Sequence, residues 1–438
     1  PAADDAGKGV SGDRDNAVVT AATRSDRESE SGASLDNNNY DLRDKSPVIL
    51  TKGARKTIND RAREILSEKS EGFTDAEKDI LRQYTGEGGL HTAADYTKEA
   101  LNQHFTDYDT IRRIWDVLDK SGFKPKTALE PAVGAGSFVG HRPQLQWTTV
   151  DIDKTNHDVA KALYPSGTHY NVSYEEFTAG DFDLVISNVP FSEQRGKLRN
   201  TVRSDVKTLH DFYLLHSLDR VREDGVIAFI TSKFSMDKLE GKIRSEIVSK
   251  SDVIGAFRLP GGHFGKTAHT DVTTDIIFLH KRPEGAEPTS SQKKVNEQWA
   301  KSSKTEHGIA LNEYYQRNPE KMLGSVEVGK DKLYGQPAYI VNGPAKWDLF
   351  AIDYTPYKGG KKEHTAAGEV KGVPSKWPDF QRWAEETGTM YAEKSDPDFG
   401  KNILVTPDHR VLVAGDMVQM SDINRLAKLY KPIMGAEA

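Results

Sequence analysis

Residues 188–191, Asn-Val-Pro-Phe, follow directly on the apolar run Phe182-Asp183-Leu184-Val185-Ile186-Ser187. An amide, a stiff proline and an aromatic ring at the end of a buried strand form a set that can hold a flat heterocycle by an exocyclic amine. Asn188 offers an amide oxygen and Val189 a backbone carbonyl, one acceptor for each N–H bond of such an amine. Pro190 fixes the direction of that carbonyl through its restricted φ, and Phe191 offers a face on which a flipped base can stack. Drawing both N–H bonds toward acceptors pulls the lone pair out of the ring, which is what an amine needs to act as a nucleophile. A plain Asn-x-Pro turn closing a strand would have the same letters.

A second constellation lies upstream in "LEPAVGAGSF", residues 129–138. Gly134 and Gly136 allow a tight turn and close backbone approach to a ligand. Asp151, in "VDID", stands roughly twenty residues further on, the spacing at which an acid meets the two hydroxyls of a ribose. A loop and an acid so placed suit any nucleoside-bearing cofactor, a nicotinamide dinucleotide included. Glu130-Pro131, however, puts a carboxylate at the mouth of the loop, where it would repel a pyrophosphate but accept from an ammonium group. An amino acid joined to a nucleoside describes S-adenosylmethionine, and the clamped amine would then be that of adenine.

These residues need a scaffold that brings strand ends together. Segments 127–131, 146–153, 182–188, 225–231, 252–260 and 274–281 read as strands, with helical stretches such as "NHDVAKALY" and "LHDFYLLHSLDRVR" between them. Alternation of this kind predicts an α/β fold, a doubly wound, mostly parallel sheet with ligands at the carboxyl ends of its strands. Ahead of it, 47–121 reads as a helical region. Thr74 and Glu77 make a capping box. A third helix carries Ile111, Ile114, Trp115 and Leu118 on one face, with Thr106 as its expected cap and Gly122 as its stop. Residues 1–46 have the composition of disorder, which predicts an arm held by the body or by a partner. The catalytic region is expected over 122–283 and a smaller accessory region over 284–438. Within the latter, "PEGAEPTSSQKK" reads as a linker, 378–388 and 421–430 as helices, and "NILVTPDHRVLVAGD" as a hairpin.

Composition sets the limits. The chain has 438 residues, 36% hydrophobic and 29% charged, with 60 Lys plus Arg against 66 Asp plus Glu for a net charge of -6. A uniformly basic nucleic-acid coat is excluded, though a local basic face is not. The absence of cysteine removes disulfides, thiolate metal sites and thiol nucleophiles. The histidines lack the short spacing of a zinc site, so no metal is expected. No apolar run approaches the roughly 20 residues that span a bilayer, and no signal peptide opens the chain. A soluble protein of the cytoplasm is expected, trimmed or processed at its amino terminus because it starts with Pro1.

Taken in order, "LEPAVGAGSF", "VDID" and "FDLVISNVPF" resemble the class I adenine-N6 DNA methyltransferases with an Asn-Pro-Pro-Phe/Tyr motif. From about residue 80 to 340 the chain is similar to the methyltransferase portion of large phage and mobile-element antirestriction proteins, in which this domain is often joined to a helicase. "RQYTGEGGL", "AFRLP", "TDVTTDIIFLHKR" and "LNEYYQRNPEKMLG" carry that likeness further. Val189 stands where most adenine enzymes have proline, and the clamp needs only its backbone carbonyl. The resemblance implies a Rossmann-like methyltransferase fold using S-adenosylmethionine. It implies contact of Phe105-Thr106 with the cofactor's carboxylate, of Glu130 with its amino group, of Asp151 with its ribose and of Glu176-Phe177 with its adenine. Glu175 competes with Glu176 for the last role.

A DNA enzyme also needs a phosphate track. "EQRGKLRNTVRSDVK", directly after the clamp, supplies Arg195, Lys197, Arg199, Arg203 and Lys207. No Gly-x-x-x-x-Gly-Lys-Ser/Thr occurs, so a helicase partner would lie outside this chain, as would other phage proteins. The expectation is a DNA adenine-N6 methyltransferase of low sequence specificity that protects phage or mobile-element DNA from restriction, in the host cytoplasm or carried with the virion. Transfer to cytosine N4, RNA or a glutamine side chain uses related clamps. A DNA-binding or virion-associated protein that keeps the fold with weak turnover is the alternative.

Overall fold

The computed structural model describes residues 38–47, 50–86, 106–190, 203, 205–261, 273–330 and 335–357, together with three short strands between 390 and 413. The chain divides into two compact units, Pro1–Gly360 and Lys361–Ala438.

The first unit opens with three helices. Helix α1 (Lys52–Glu68) is capped by Thr51, and α2 (Asp75–Leu81) by the capping box of Thr74 and Glu77. Helix α3 (Tyr108–Lys120) buries Ile111, Ile114, Trp115 and Leu118 and stops before Gly122, whose φ is +83°. Its cap is Asp107 and not Thr106. The Asp107 carboxylate accepts from Thr110 N at 2.9 Å and also suits the positive end of the helix dipole, leaving Thr106 one residue outside.

The alternating region forms β1 (Thr127–Glu130), α4 (Ser137–Gly140), β2 (Gln146–Val150), α5 (Lys154–Leu163), β3 (Thr168–Tyr170), β4 (Phe182–Asn188), α6 (Leu209–Leu218), β5 (Val221–Ser232), α7 (Phe234–Asp237), α8 (Lys242–Lys250), β6 (Ser251–Arg258) and β7 (Thr274–Lys281). Seven strands make one sheet in the order β3-β2-β1-β4-β5-β7-β6, parallel except for β7, which runs against both neighbours. Strand order reverses between β1 and β4, so the crevice for a ligand opens at their carboxyl ends. One face is covered by Ile65, Ile111, Trp115 and Val159 from α1, α3 and α5. The other is covered by Phe212 and Leu215 of α6, Ile247 of α8 and Trp299. Both faces are dry, as a parallel sheet requires.

Residues 38–46 lie across the first of these layers. Tyr40 N donates to Leu163 O at 2.7 Å and Leu42 N to Gly140 O at 2.8 Å, while Asn39 Nδ2 donates to Pro143 O at 2.9 Å. Leu42 is fully buried, and Arg112 of α3 donates to Lys45 O. The strap therefore joins the ends of α4 and α5 to α3.

Beyond the sheet come α9 (Ser290–Ala300), β8 (Ser302–Lys304), β9 (Ala310–Asn312), α10 (Glu313–Arg317), and a hairpin of β10 (Ser325–Lys330) and β11 (Pro337–Asn342). Helix α9 starts inside the stretch expected to be a linker, with Thr289 as its cap accepting from Gln292 N. Its Asn296 accepts from Val253 N of β6 at 3.0 Å, and Tyr314 and Tyr315 of α10 join the α6 side of the core. Segment 290–357 thus packs against the sheet and belongs to the first unit. Arg258 ties this region down: buried, it pairs with Asp275 and Asp237 at 2.8 Å and lies over the Tyr315 ring at 4.7 Å.

In the second unit β12 (Met390–Tyr391), β13 (Ile403–Val405) and β14 (Val411–Val413) form an antiparallel sheet, with β13 and β14 in the hairpin expected there. The helices expected at 378–388 and 421–430, and the arm up to residue 37, lie outside the described residues.

Candidate functional site

Side chains alternate along a strand, so register decides which residues meet. Ala128 packs with Leu184 and Ile186 on the α3 side of the sheet, whereas Leu129 packs with Val185 on the α6 side. Glu130 and Asn188 therefore share the α3 face, at the carboxyl ends of adjacent strands. Asp151 follows β2, the neighbour of β1 on the other side.

The turn after β1 is built on glycine. Gly134 has φ +52° and Gly136 +70°, the left-handed region that a side chain strains. A Cβ on Gly136 would sit 2.3 Å from the buried Tyr164 ring, so this turn has room for no other residue. Asp151 secures the turn from below: its Oδ2 accepts from Gly134 N at 3.0 Å and Asn156 Nδ2 at 3.3 Å, and its Oδ1 from Asp153 N at 2.9 Å. Burial nevertheless pushes its carboxyl up to about 6.

Glu130 is more exceptional. It is buried, and its Oε2 meets no hydrogen-bond donor. Burial and the nearby Asp151 charge drive its pKa well above the ordinary carboxylate range, against a Val139 N–H that favours the ion. A buried acceptor without a donor is costly, and an ammonium group would relieve it. Beside it, Ile152 is 72% exposed between two acids. The sequence reading passed over this residue, although an apolar side chain inside "VDID" at a strand end was the available signal; it presents a face to whatever lies along Asp151. The described residues thus fit S-adenosylmethionine by an orphaned carboxylate oxygen, a turn that only glycine can make, a buried acid and an apolar face.

At the clamp, β4 runs through Asn188, half-buried, and Val189 N donates to Ile230 O at 3.0 Å. This bond and the complete burial of Val189 hold the backbone that carries the second acceptor. Pro190 is half-buried. Tyr213 of α6 donates to Pro131 O at 3.4 Å, joining the turn after β1 to the helix after β4.

The remaining expected residues separate. Of the two acids after β3, Glu175 is buried and Glu176 exposed, the latter accepting from Ser173 N at 3.2 Å. Thr106 is half-buried just ahead of α3. Lys207 is exposed. Arg203 is instead held by Asp205 at 2.9 Å, two residues on, and by Glu246 of α8 at 2.7 Å, carboxylates that raise its pKa while it lowers theirs. That guanidinium serves to pin the segment before α6 onto α8. Phe105, Phe191, Arg195, Lys197 and Arg199 lie outside the described residues.

Comparison with known proteins finds partial likenesses. Residues 144–331 match the family described as N-6 DNA Methylase. Over 239 residues, 52% of this chain, the sequence is 25% identical to the "Defense against restriction protein B" of Escherichia phage P1, and it spans only 10% of that protein's length. Among solved structures, a class I S-adenosylmethionine-dependent methyltransferase described as putative, from Listeria monocytogenes, aligns with a TM-score of 0.40 at 13% identity, over 54% of this chain and 83% of its own. A modification subunit, from a type I restriction enzyme of Vibrio vulnificus also described as putative, aligns at 0.38 and 14%, over 62% and 65%. Through the segment that the N-6 DNA Methylase family matches, and through its mixed α/β sheet, this chain resembles the class I adenine-N6 DNA methyltransferases.

Proposed function

We propose that the chain methylates the N6 amine of adenine in DNA with S-adenosylmethionine, with little sequence specificity, and so protects phage or mobile-element DNA from restriction. The observation that carries this reading is the pairing of Glu130, buried with an orphaned oxygen, and Asn188 on one face of the sheet at its switch point. When bound, the cofactor supplies an electrophilic methyl group. Glu130 would accept from its ammonium, Asp151 from its ribose hydroxyls and Glu176 or Glu175 from its adenine amine, and Phe105-Thr106 would serve its carboxylate. Asn188 Oδ1 and the Val189 carbonyl accept from the two N–H bonds of the flipped base, Pro190 holds that carbonyl and Phe191 stacks on the ring. The amine would thereby be turned toward the methyl group for direct transfer, the new N–C bond forming as the C–S bond breaks with its electron pair going to sulfur, and the surplus N6 proton passing to water. A helicase region or other phage proteins would act from outside this chain, in the host cytoplasm or with the virion.

Arg195, Lys197, Arg199 and Lys207 would hold phosphates, with Arg203 bracing their segment, so affinity should fall steeply with salt. The test is to incubate the protein with DNA and labelled cofactor, digest to nucleosides and identify the product by mass. N6-methyl-2′-deoxyadenosine is expected in the digest, and single-molecule sequencing of the same treated DNA should find it in many sequence contexts. Label on cytosine, no label, or confinement to one motif of four to six bases would overturn the corresponding part of the reading.

A further inference from the structure

His210 is 2% exposed, and neither ring nitrogen has a hydrogen-bond partner. It lies in the first turn of α6. Strands β4 and β5 are parallel and paired, with Asn188 opposite Ile230, so the helix between them runs back and its first turn stands at the carboxyl edge of the sheet, where the clamp is. The surroundings of His210 are polar but balanced. Lys238 Nζ, just past the end of α7, donates to Asp211 Oδ2 at 3.0 Å and to Thr208 Oγ1 at 3.2 Å, and Thr208 Oγ1 donates to Asp211 Oδ2 at 2.6 Å. His210 Nε2 is 3.8 Å from Asp211 Oδ1, too far for a hydrogen bond, and burial keeps the imidazole neutral by lowering it to about 4.

A phosphate is a poor fit for this cluster, because the one ammonium is already matched by a carboxylate and the imidazole is uncharged. What is vacant is one donor and one acceptor on a neutral ring. Next to Lys238, Leu239 is 51% exposed, an apolar face on the same edge. A ligand with a flat apolar face and an edge that both donates and accepts is a nucleobase. We infer that the head of α6, with Lys238 and Leu239, receives a base neighbouring the one held by Asn188. This rests on the DNA-methylation reading and deepens it: methylation is broad, yet biased by one adjacent base.

The experiment uses the full chain and a set of duplexes that differ only at the two bases on either side of the target adenine. The wild type should prefer one base at one neighbouring position by about tenfold, the scale of a single edge contact. His210→Phe, which fills the volume without hydrogen bonds, should flatten that preference to within about twofold at unchanged cofactor affinity. Leu239→Ala should do the same, and being on the surface it leaves the fold intact. An even wild-type profile, or variants that slow every duplex equally, overturns the pocket. So does a salt slope reduced by about one, which marks a phosphate contact instead. Should no duplex be methylated, binding of the same duplexes by fluorescence anisotropy separates the two ideas. Neighbour-dependent affinity lost in Leu239→Ala keeps the pocket while the catalytic reading falls, and neighbour-independent affinity sinks both.

Discussion

Replacing Glu130 by glutamine should move stability and cofactor affinity in opposite directions. In the cofactor-free chain the Glu130 carboxylate is buried beside Asp151, with one oxygen favoured by the Val139 N–H and the other without a donor. Glutamine keeps the shape, keeps an oxygen for Val139 and removes a charge that the fold does not match. The pKa of Glu130 is raised, so above its ordinary 4.5 and up to the raised value the folded chain binds a proton that the unfolded chain has released. The contribution of this group to stability therefore falls as pH rises through that window, and the glutamine variant lacks that slope. At pH 7.5 it should melt no lower than wild type. The bound ammonium, however, loses a charge-assisted hydrogen bond worth about 1.5–3 kcal/mol, so Kd for S-adenosylmethionine should rise roughly 10- to 150-fold. Thermal unfolding without cofactor and titration calorimetry with it read the two effects. A variant that melts about 5 °C lower would show that Glu130 holds the fold, and an unchanged Kd would falsify its role toward the ammonium.

Asn188→Ala should reduce methyl transfer by about 10² to 10³ while cofactor affinity stays nearly level, since one preorganised acceptor for the substrate is removed; near-normal turnover refutes the clamp. Gly136→Ala drives a Cβ into the Tyr164 ring 2.3 Å away at a φ of +70°, and should lower both melting temperature and cofactor binding, as differential scanning fluorimetry with and without cofactor will read. Asp151, raised by burial from 3.8 to about 6, binds its proton more tightly in the folded state. Across about pH 4 to 6 it should therefore withdraw up to about 3 kcal/mol of stability as pH rises, a slope that chemical denaturation will find in the wild type and missing in Asp151→Asn. Arg258→Met strands Asp275 as a fully buried carboxylate and should destabilise by about 3–5 kcal/mol; a smaller loss in denaturant titration would mean that water reaches it.

Much of the scaffold was legible because its strands are short apolar runs that burial on both faces demands. β4 and β7 matched their expected limits, and the capping box of Thr74 and Glu77 formed as written. What escaped has physical reasons. β3 is three residues long, partly exposed and without an apolar pattern, so nothing local announces it. β5 begins at Val221, in residues that read as the end of α6, since helix and strand propensities are close there and pairing with Phe182 decides. α9 hid behind a proline and two serines, although Thr289 was the cap to look for. Local chemistry also misplaced the cap of α3 by one residue. At the candidate site, residue types and spacing pointed to Glu130, Gly134, Gly136, Asp151 and Asn188, and the fold stands each of them at or just past a strand end. The orphaned oxygen of Glu130, the capture of Arg203 by Glu246 and the solitary imidazole of His210 depend on residues far apart in the chain, and no window along the sequence contains them.

The strap at residues 38–46 sets where the first unit can be cut. Its backbone is bonded to Gly140 and Leu163, the last residues of the helices that follow the glycine turn and Asp151. A fragment begun at β1, where the alternating pattern starts, would uncover Leu42's seat and leave the Gly140 and Leu163 carbonyls without their donors. The portable module therefore begins at Asn39, some ninety residues ahead of the first strand, and a graft of the seven-stranded sheet into another protein must take the three helices and the strap along with it.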